Sequence, residues 1–221
     1  MAEVDLLRTL PKARRDVNAR AEAKSAEVIA EASQFGQAYF DGPRAYGYGG
    51  YYYDGRWMSV ARDIVEHFGL RPGMRVLDIG CAKGFLVRDL IAVCPGLDVY
   101  GLDVSHYAVM NAHPDIIGRL HLGDCRTLPF PDQSFDAVLA INVIHNLERP
   151  QVVGALREMM RISRSPTKSF VQVDAYSTDA ERQQFEQWVL TAKYAGTPEN
   201  WRNLFEEAGY QGDWAWTVIT N

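Results

Sequence analysis

One stretch constrains the fold of this 221-residue chain more than any other. Met74 to Ile79 is an apolar run of strand length, and Gly80-Cys81-Ala82-Lys83-Gly84 is a turn bracketed by glycines. Phe85, Leu86, Leu90 and Val93 then follow at helical spacing until Pro95-Gly96 ends the pattern. A strand that passes through a short turn directly into a helix is the opening of a βαβ unit, whose next strand runs parallel to the first.

The same alternation continues. Strands are expected over 97–103, 119–123, 135–141, 169–174 and 214–220. Between them, Ser105 can cap a short helix that stops before Pro114. Val152, Leu156, Met159 and Met160 mark another helix, and two more are expected over 180–195 and 198–208. Ahead of the first strand, Val60, Ile64 and Phe68 repeat at helical spacing and Gly69 stands where a C-cap belongs. The fold class is therefore α/β: a Rossmann-like, mostly parallel sheet with helices on both faces. Residues 59–221 are read as that domain. Residues 1–58 are read as an extension of two helical pieces parted near Pro11, followed by an aromatic, glycine-rich segment from Tyr39 to Trp57.

Composition narrows the partners. Net charge is −5, so no global attraction draws the chain to a nucleic-acid backbone. No apolar stretch is of membrane-spanning length and no secretory signal is evident, so a cytoplasmic location is expected. Three cysteines without a CxxC pair fit free thiols and supply no metal site.

Three stations fall at strand ends, where ligands of such sheets bind. The first is the turn from Asp78 to Gly84. The second is Asp103, followed by Val104, a carboxylate suited to a ribose diol. The third is Asp124-Cys125, where a carboxylate and a backbone N–H suit an adenine edge. Any adenosine-containing cofactor fits these stations. The dinucleotide fingerprint GxGxxG needs a second glycine for the pyrophosphate, and Ala82 stands there instead.

In these motifs the chain resembles the class I S-adenosylmethionine (SAM)-dependent methyltransferases, in particular their type 11, small-molecule branch. It matches their D/E-x-G-x-G-x-G loop at Asp78, Gly80 and Gly84 and departs from it at Ala82. The stretch from Leu128 to Asp136 also looks like that family's link between strands three and four. The resemblance covers residues 60–175 well and the two ends poorly. It implies that Asp78, Gly80, Cys81, Ala82 and Gly84 line the methionine end of SAM, and that Asp103 and Val104 hold the ribose. Asp124 and Cys125 would frame the adenine, with backbone near Asn142 closing the site. Lys83 is expected to face solvent. Class I enzymes usually end in two strands after the last helix; here room remains for one, so either the final strand of the sheet is missing or a range read as helix conceals it.

For the acceptor, the segment from Tyr39 to Trp57 is expected to form a lid or wall, with Tyr48, Tyr51, Tyr53 and Trp57 facing the substrate, because aromatic faces attract a cation and exclude water. The same aromatics suit a packed loop or a homodimer contact. His145, just past the fourth strand, is the candidate general base, and Asn146, Asp174 and Tyr176 are further pocket candidates. The expected activity is methyl transfer to oxygen or nitrogen of a small polar metabolite: a sugar, a nucleotide-sugar or a natural-product precursor. The alternatives are methylation of protein or RNA, a non-catalytic adenosine-binding module, and an NAD-dependent oxidoreductase.

Overall fold

The computed structural model describes residues 1–11 and 15–220. Six strands form one sheet: β1 (Arg75–Ile79), β2 (Asp98–Asp103), β3 (Leu120–Leu122), β4 (Ala137–Ile141), β5 (Ser169–Asp174) and β6 (Asp213–Thr217). Their order is β3-β2-β1-β4-β5-β6 and every pair is parallel. A parallel strand needs cover on both faces, which is why β1, β4 and β5 read as nearly unbroken apolar runs and are buried almost throughout. The chain reverses its direction of travel across the sheet between β1 and β4. The crevice above that point is where the site forms.

Helices α1 (Val17–Ala23), α2 (Ala26–Ala32) and α3 (Gln37–Asp41) precede the sheet. α4 (Met58–Phe68) and α5 (Phe85–Val93) cover one face, burying Val60, Ile64, Leu86 and Leu90 against Val76 and Val99. Gly69 ends α4 in the left-handed region at φ 58°, as a helix C-cap requires. α6 (His106–Met110) lies between β2 and β3. α7 (Arg149–Ile162), α8 (Asp179–Trp188) and α9 (Pro198–Ala208) complete the set. Leu156, Met159, Trp201 and Phe205, from α7 and α9, pack on the opposite face of the sheet. Trp201 is fully buried and its indole N–H donates to the Asp174 carbonyl at 3.0 Å. Truncating an aromatic anchor of this kind costs about 3–5 kcal/mol.

The ends differ from expectation. Residues 1–10 form no helix. Ala2 and Val4 exchange backbone hydrogen bonds with Trp214 along the outer edge of β6, and Leu6 and Leu7 are buried in the α4/α5 layer. This segment covers a sheet edge that would otherwise be unpaired. The helical stretch 16–33 breaks at Lys24-Ser25, because the Ser25 hydroxyl accepts from the Val28 N–H and starts a new helix. The helix expected to reach Ala195 stops at Trp188, where Val189 turns extended. Among the described residues β6 pairs directly with β5, and no antiparallel strand lies between or beyond them. No described helix is long and apolar enough to cross a membrane.

Candidate functional site

The turn after β1 is packed so closely that its glycines have steric causes. Gly80 lies at φ 70°, and a Cβ there would sit 2.0 Å from Val143 Cγ2. Gly84 lies at φ 75°, and its Cβ would meet Ile116 Cδ1 at 2.3 Å. Ala82 also adopts positive φ, 50°, which strains an L-residue. Its methyl packs in a small cluster with Phe40 and Ala108, a contact that glycine lacks.

The turn is fastened to β2. Gly80 and Cys81 both donate to the Leu102 carbonyl. The Ala82 N–H donates to Asp103 Oδ2 at 2.7 Å, and the Ser105 N–H donates to Asp103 Oδ1 at 2.7 Å. Lys83 departs from the solvent-facing expectation. It is buried, and its ammonium reaches Asp41 at 2.6 and 2.8 Å and the Tyr51 carbonyl at 2.9 Å. Asp41 in turn accepts from the Tyr107 hydroxyl at 2.6 Å. This ion pair ties α3 to the turn.

A cavity of about 250 Å³ opens above these groups. One side is lined by Gly80, Ala82, Asp103 and Val104 at the ends of β1 and β2, and by Asp124 and Cys125 beyond β3. Asn142 and Asn146, from the segment after β4, complete that side. The facing wall is Phe35, Tyr39, Phe40 and Tyr48. Asn142 also stands at positive φ, 55°, with its side-chain oxygen accepting from Thr217 at 2.9 Å. Cys81, Gly84 and Asp78 lie behind the lining rather than in it.

The electrostatics follow from burial. Desolvation raises the Asp78 carboxyl to about 8, and neighbouring Asp103 adds to the shift. Asp103 is raised by burial, although its backbone N–H donors oppose this. Asp124 is held below its usual range by Arg126, whose Nε contacts both carboxylate oxygens, at 3.0 and 2.8 Å. The carboxylate expected to meet an adenine amino group therefore already has an arginine partner. Burial pushes the Cys125 thiol up to about 12, and Cys81 is raised well above its usual value. Neither is a thiolate nucleophile.

Several expected acceptor residues lie elsewhere. His145 is buried, outside the cavity lining. Its Nδ1 accepts the Asp174 N–H at 3.1 Å, its Nε2 lies 3.7 Å from the Asp174 carboxylate, and its carbonyl accepts from Lys193 and Tyr194. A ring whose Nδ1 accepts carries its proton on Nε2. These contacts place His145 between the ends of β4 and β5, outside the cavity lining. Asp174 is buried with it and does not line the cavity.

Tyr51 stands behind the aromatic wall, stacked on Phe85 at 4.8 Å. Tyr53 is turned toward α5, where its hydroxyl donates to Asp89 at 2.7 Å. Trp57 packs on the α4/α5 layer. Tyr176 borders a separate polar groove with Thr178 and Asn200.

In their place the cavity is lined by Tyr39 and Phe40, from the start of the expected lid segment, and by Phe35 and Thr191, which lie outside it. The Thr191 hydroxyl donates to Asn146 Oδ1 at 2.8 Å. The aromatic run beginning at Phe35 was a usable signal. Thr191 had none, because it fell within an expected helix.

The sheet order alone suits a dinucleotide as well as SAM. Comparison with known proteins separates them. Residues 77–187 match a family described as a methyltransferase domain. A sterol 24-C-methyltransferase of Gibberella zeae is 34% identical over 106 residues, 45% of this chain and 27% of that protein. A demethylmenaquinone methyltransferase of Symbiobacterium thermophilum is 30% identical over 130 residues, covering 55% of this chain and 50% of that one. The chain thus spans half or less of these relatives' lengths. Among solved structures, a methyltransferase bound to the Haloferax volcanii Trm112 activator shares the fold. Its TM-score is 0.56 at 24% identity, over 67% of this chain and 66% of that one.

Proposed function

The chain belongs to the class I SAM-dependent methyltransferases, and we propose that it methylates a small molecule held against Phe35, Tyr39, Phe40 and Tyr48. The observation that carries this reading is a single cavity with the SAM-motif turns on one side and an aromatic wall on the other. SAM, when bound, supplies an electrophilic methyl group on a sulfonium. The residues fit such a group: Asp103 borders the cavity with both oxygens oriented by backbone N–H donors, and buried Asp78 favours a cationic ligand nearby. Asp103 and Val104 would hold the ribose, Cys125 the adenine through its backbone, and the Gly80–Ala82 turn the amino-acid end.

The chain's contribution to the reaction is positioning. Holding acceptor and methyl in line can supply about 7–11 kcal/mol of the barrier, and the wall excludes water. Among the described residues no histidine lines the cavity. The reading therefore favours an acceptor oxygen or nitrogen that is nucleophilic without a strong base, such as a phenol or an amine. Tyr39, Thr191 and Asn146 offer its polar group a hydrogen-bonding strip, and the rings suit an apolar or flat body. This narrows the polar-metabolite expectation toward a natural-product-like ring bearing one polar group. The sterol and demethylmenaquinone relatives are in keeping with such a body.

Release of S-adenosylhomocysteine is the assay, run with phenolic or quinol rings, sterol-like alcohols and sugars as acceptors. Turnover on ring acceptors, lost in Tyr39→Ala, is expected. Turnover on sugars alone, or on RNA or protein alone, would overturn the reading.

A further inference from the structure

A group of arginines around Trp188, at the end of α8, is left unused by the methyl-transfer reading. The guanidinium carbons of Arg15, Arg20 and Arg44 lie 5.9, 4.6 and 5.0 Å from the centre of the Trp188 ring. Arg20 and Arg44 donate to the same carbonyl oxygen, that of Gly47, at 2.9 and 2.7 Å. Two like charges thus share one neutral acceptor, in a chain whose net charge is −5.

The nearby acids are committed elsewhere. Asp16 caps α1 through the Ala19 N–H, and Glu186 pairs with Arg182 at 2.8 Å. Asp174, within electrostatic range of Arg15, is buried and turned to His145. Arg20 is itself buried, and desolvation together with Arg44 pulls it below its usual pKa. Arg44 is lowered in the same way by burial and Arg15.

We propose that Arg15, Arg20 and Arg44 form an anion subsite that takes a phosphate or carboxylate group carried by the acceptor. The group is joined to the acceptor wall through neighbouring positions of the chain. Gly47 directly precedes Tyr48, which lines the cavity, and Thr191 lines it three residues beyond Trp188. Guanidinium forks match phosphate and carboxylate oxygens in pairs. A clasp that merely holds the lid to α8 accounts for Arg20 and for Arg44, which also donates to the Tyr48 carbonyl at 2.9 Å. It leaves Arg15 unexplained, since among the described residues that guanidinium stands over Trp188 and donates no hydrogen bond. The proposal rests on the methyl-transfer reading for its occupant, but the subsite itself can be tested apart from it.

The test is calorimetric titration of the full chain with inorganic phosphate and, separately, with succinate. Arg15→Gln, Arg15→Lys and the remote control Arg182→Gln are run beside the wild type, with thermal unfolding to verify folding. Binding to the wild type is expected, weakened about tenfold in Arg15→Gln and largely restored in Arg15→Lys. Arg182→Gln is expected to behave as wild type. The stronger of the two titrants identifies the group carried by the acceptor. Absence of binding by both anions, or equal binding by Arg15→Gln and wild type, overturns the subsite. A parallel titration with S-adenosylhomocysteine keeps the two readings distinct: its failure refutes the methyltransferase reading, whereas failure of the anion titrations alone refutes only the subsite.

Discussion

Gly80→Ala is the most searching perturbation of the turn after β1. Two separate costs are expected. At φ 70° an L-residue occupies the left-handed region, which costs about 1–2 kcal/mol. The new methyl would also lie 2.0 Å from Val143 Cγ2 and 2.8 Å from Cγ1, so Val143 must move. Overpacking of this kind costs about 1–3 kcal/mol. The total is about 2–5 kcal/mol, which for a chain of this size lowers Tm by roughly 5–15 °C. Because Val143 lines the cavity, its displacement should also weaken cofactor binding. Denaturant unfolding of Gly80→Ala, Val143→Ala and the double variant separates the two costs. Removing the Val143 methyls relieves the clash but not the backbone strain, so the double variant should be more stable than the single effects add up to, by about 1–3 kcal/mol. A Gly80→Ala variant within about 0.5 kcal/mol of wild type, or strictly additive effects, would refute this account of the turn.

The remaining predictions concern its surroundings. His145→Ala should lower stability by about 1–3 kcal/mol, through the Asp174 N–H it leaves unpaired, yet folded protein should keep S-adenosylhomocysteine binding and most of its turnover. Abolished turnover at wild-type stability would return His145 to the role of base. Lys83→Met removes the tie between α3 and the turn and leaves Asp41 without its ammonium partner. A loss of about 1–3 kcal/mol and faster cofactor release in stopped-flow experiments are expected, and unchanged release would exclude the tie as a gate. Asp78 binds its proton more tightly in the folded chain, with a pKa near 8, than an unfolded carboxylate does at about 4. Stability of the ligand-free chain should therefore fall as pH rises from about 4 to 8. Asp78→Asn should flatten that slope in unfolding titrations, and an unaltered slope would show that Asp78 is not its source.

Much of the site was legible because its causes are local. Gly80 and Asp103 announce themselves through strand-end position and spacing, and the folded chain places both in the lining of one cavity, with Gly84 behind it. The alternation of buried strands with amphipathic helices was equally readable, since each strand covered on both faces must be apolar. The failures share a different cause. His145 stands where a base would be expected in sequence, but its side-chain direction depends on Asp174, 29 residues away. Tyr53 and Trp57 belong to the aromatic segment, yet the chain turns at Gly49, Gly50 and Gly55, all at positive φ, and these two side chains pack toward α5 and α4 instead of the cavity. Thr191 entered the site because α8 ends at Trp188, a boundary that helix propensity did not mark. The edge cover by residues 2–4 was hidden for the same reason: a segment paired with β6 more than 200 residues away carries no local pattern of its own.

The central claim is that the crevice above β1, β2 and β4 holds SAM and that the chain moves its methyl group. Calorimetric titration with S-adenosylhomocysteine, set beside NAD on the same preparation, tests it most directly. The account predicts one-to-one binding of S-adenosylhomocysteine, weakened in Asp103→Ala, with no heat from NAD. Tight NAD binding without S-adenosylhomocysteine binding would contradict it.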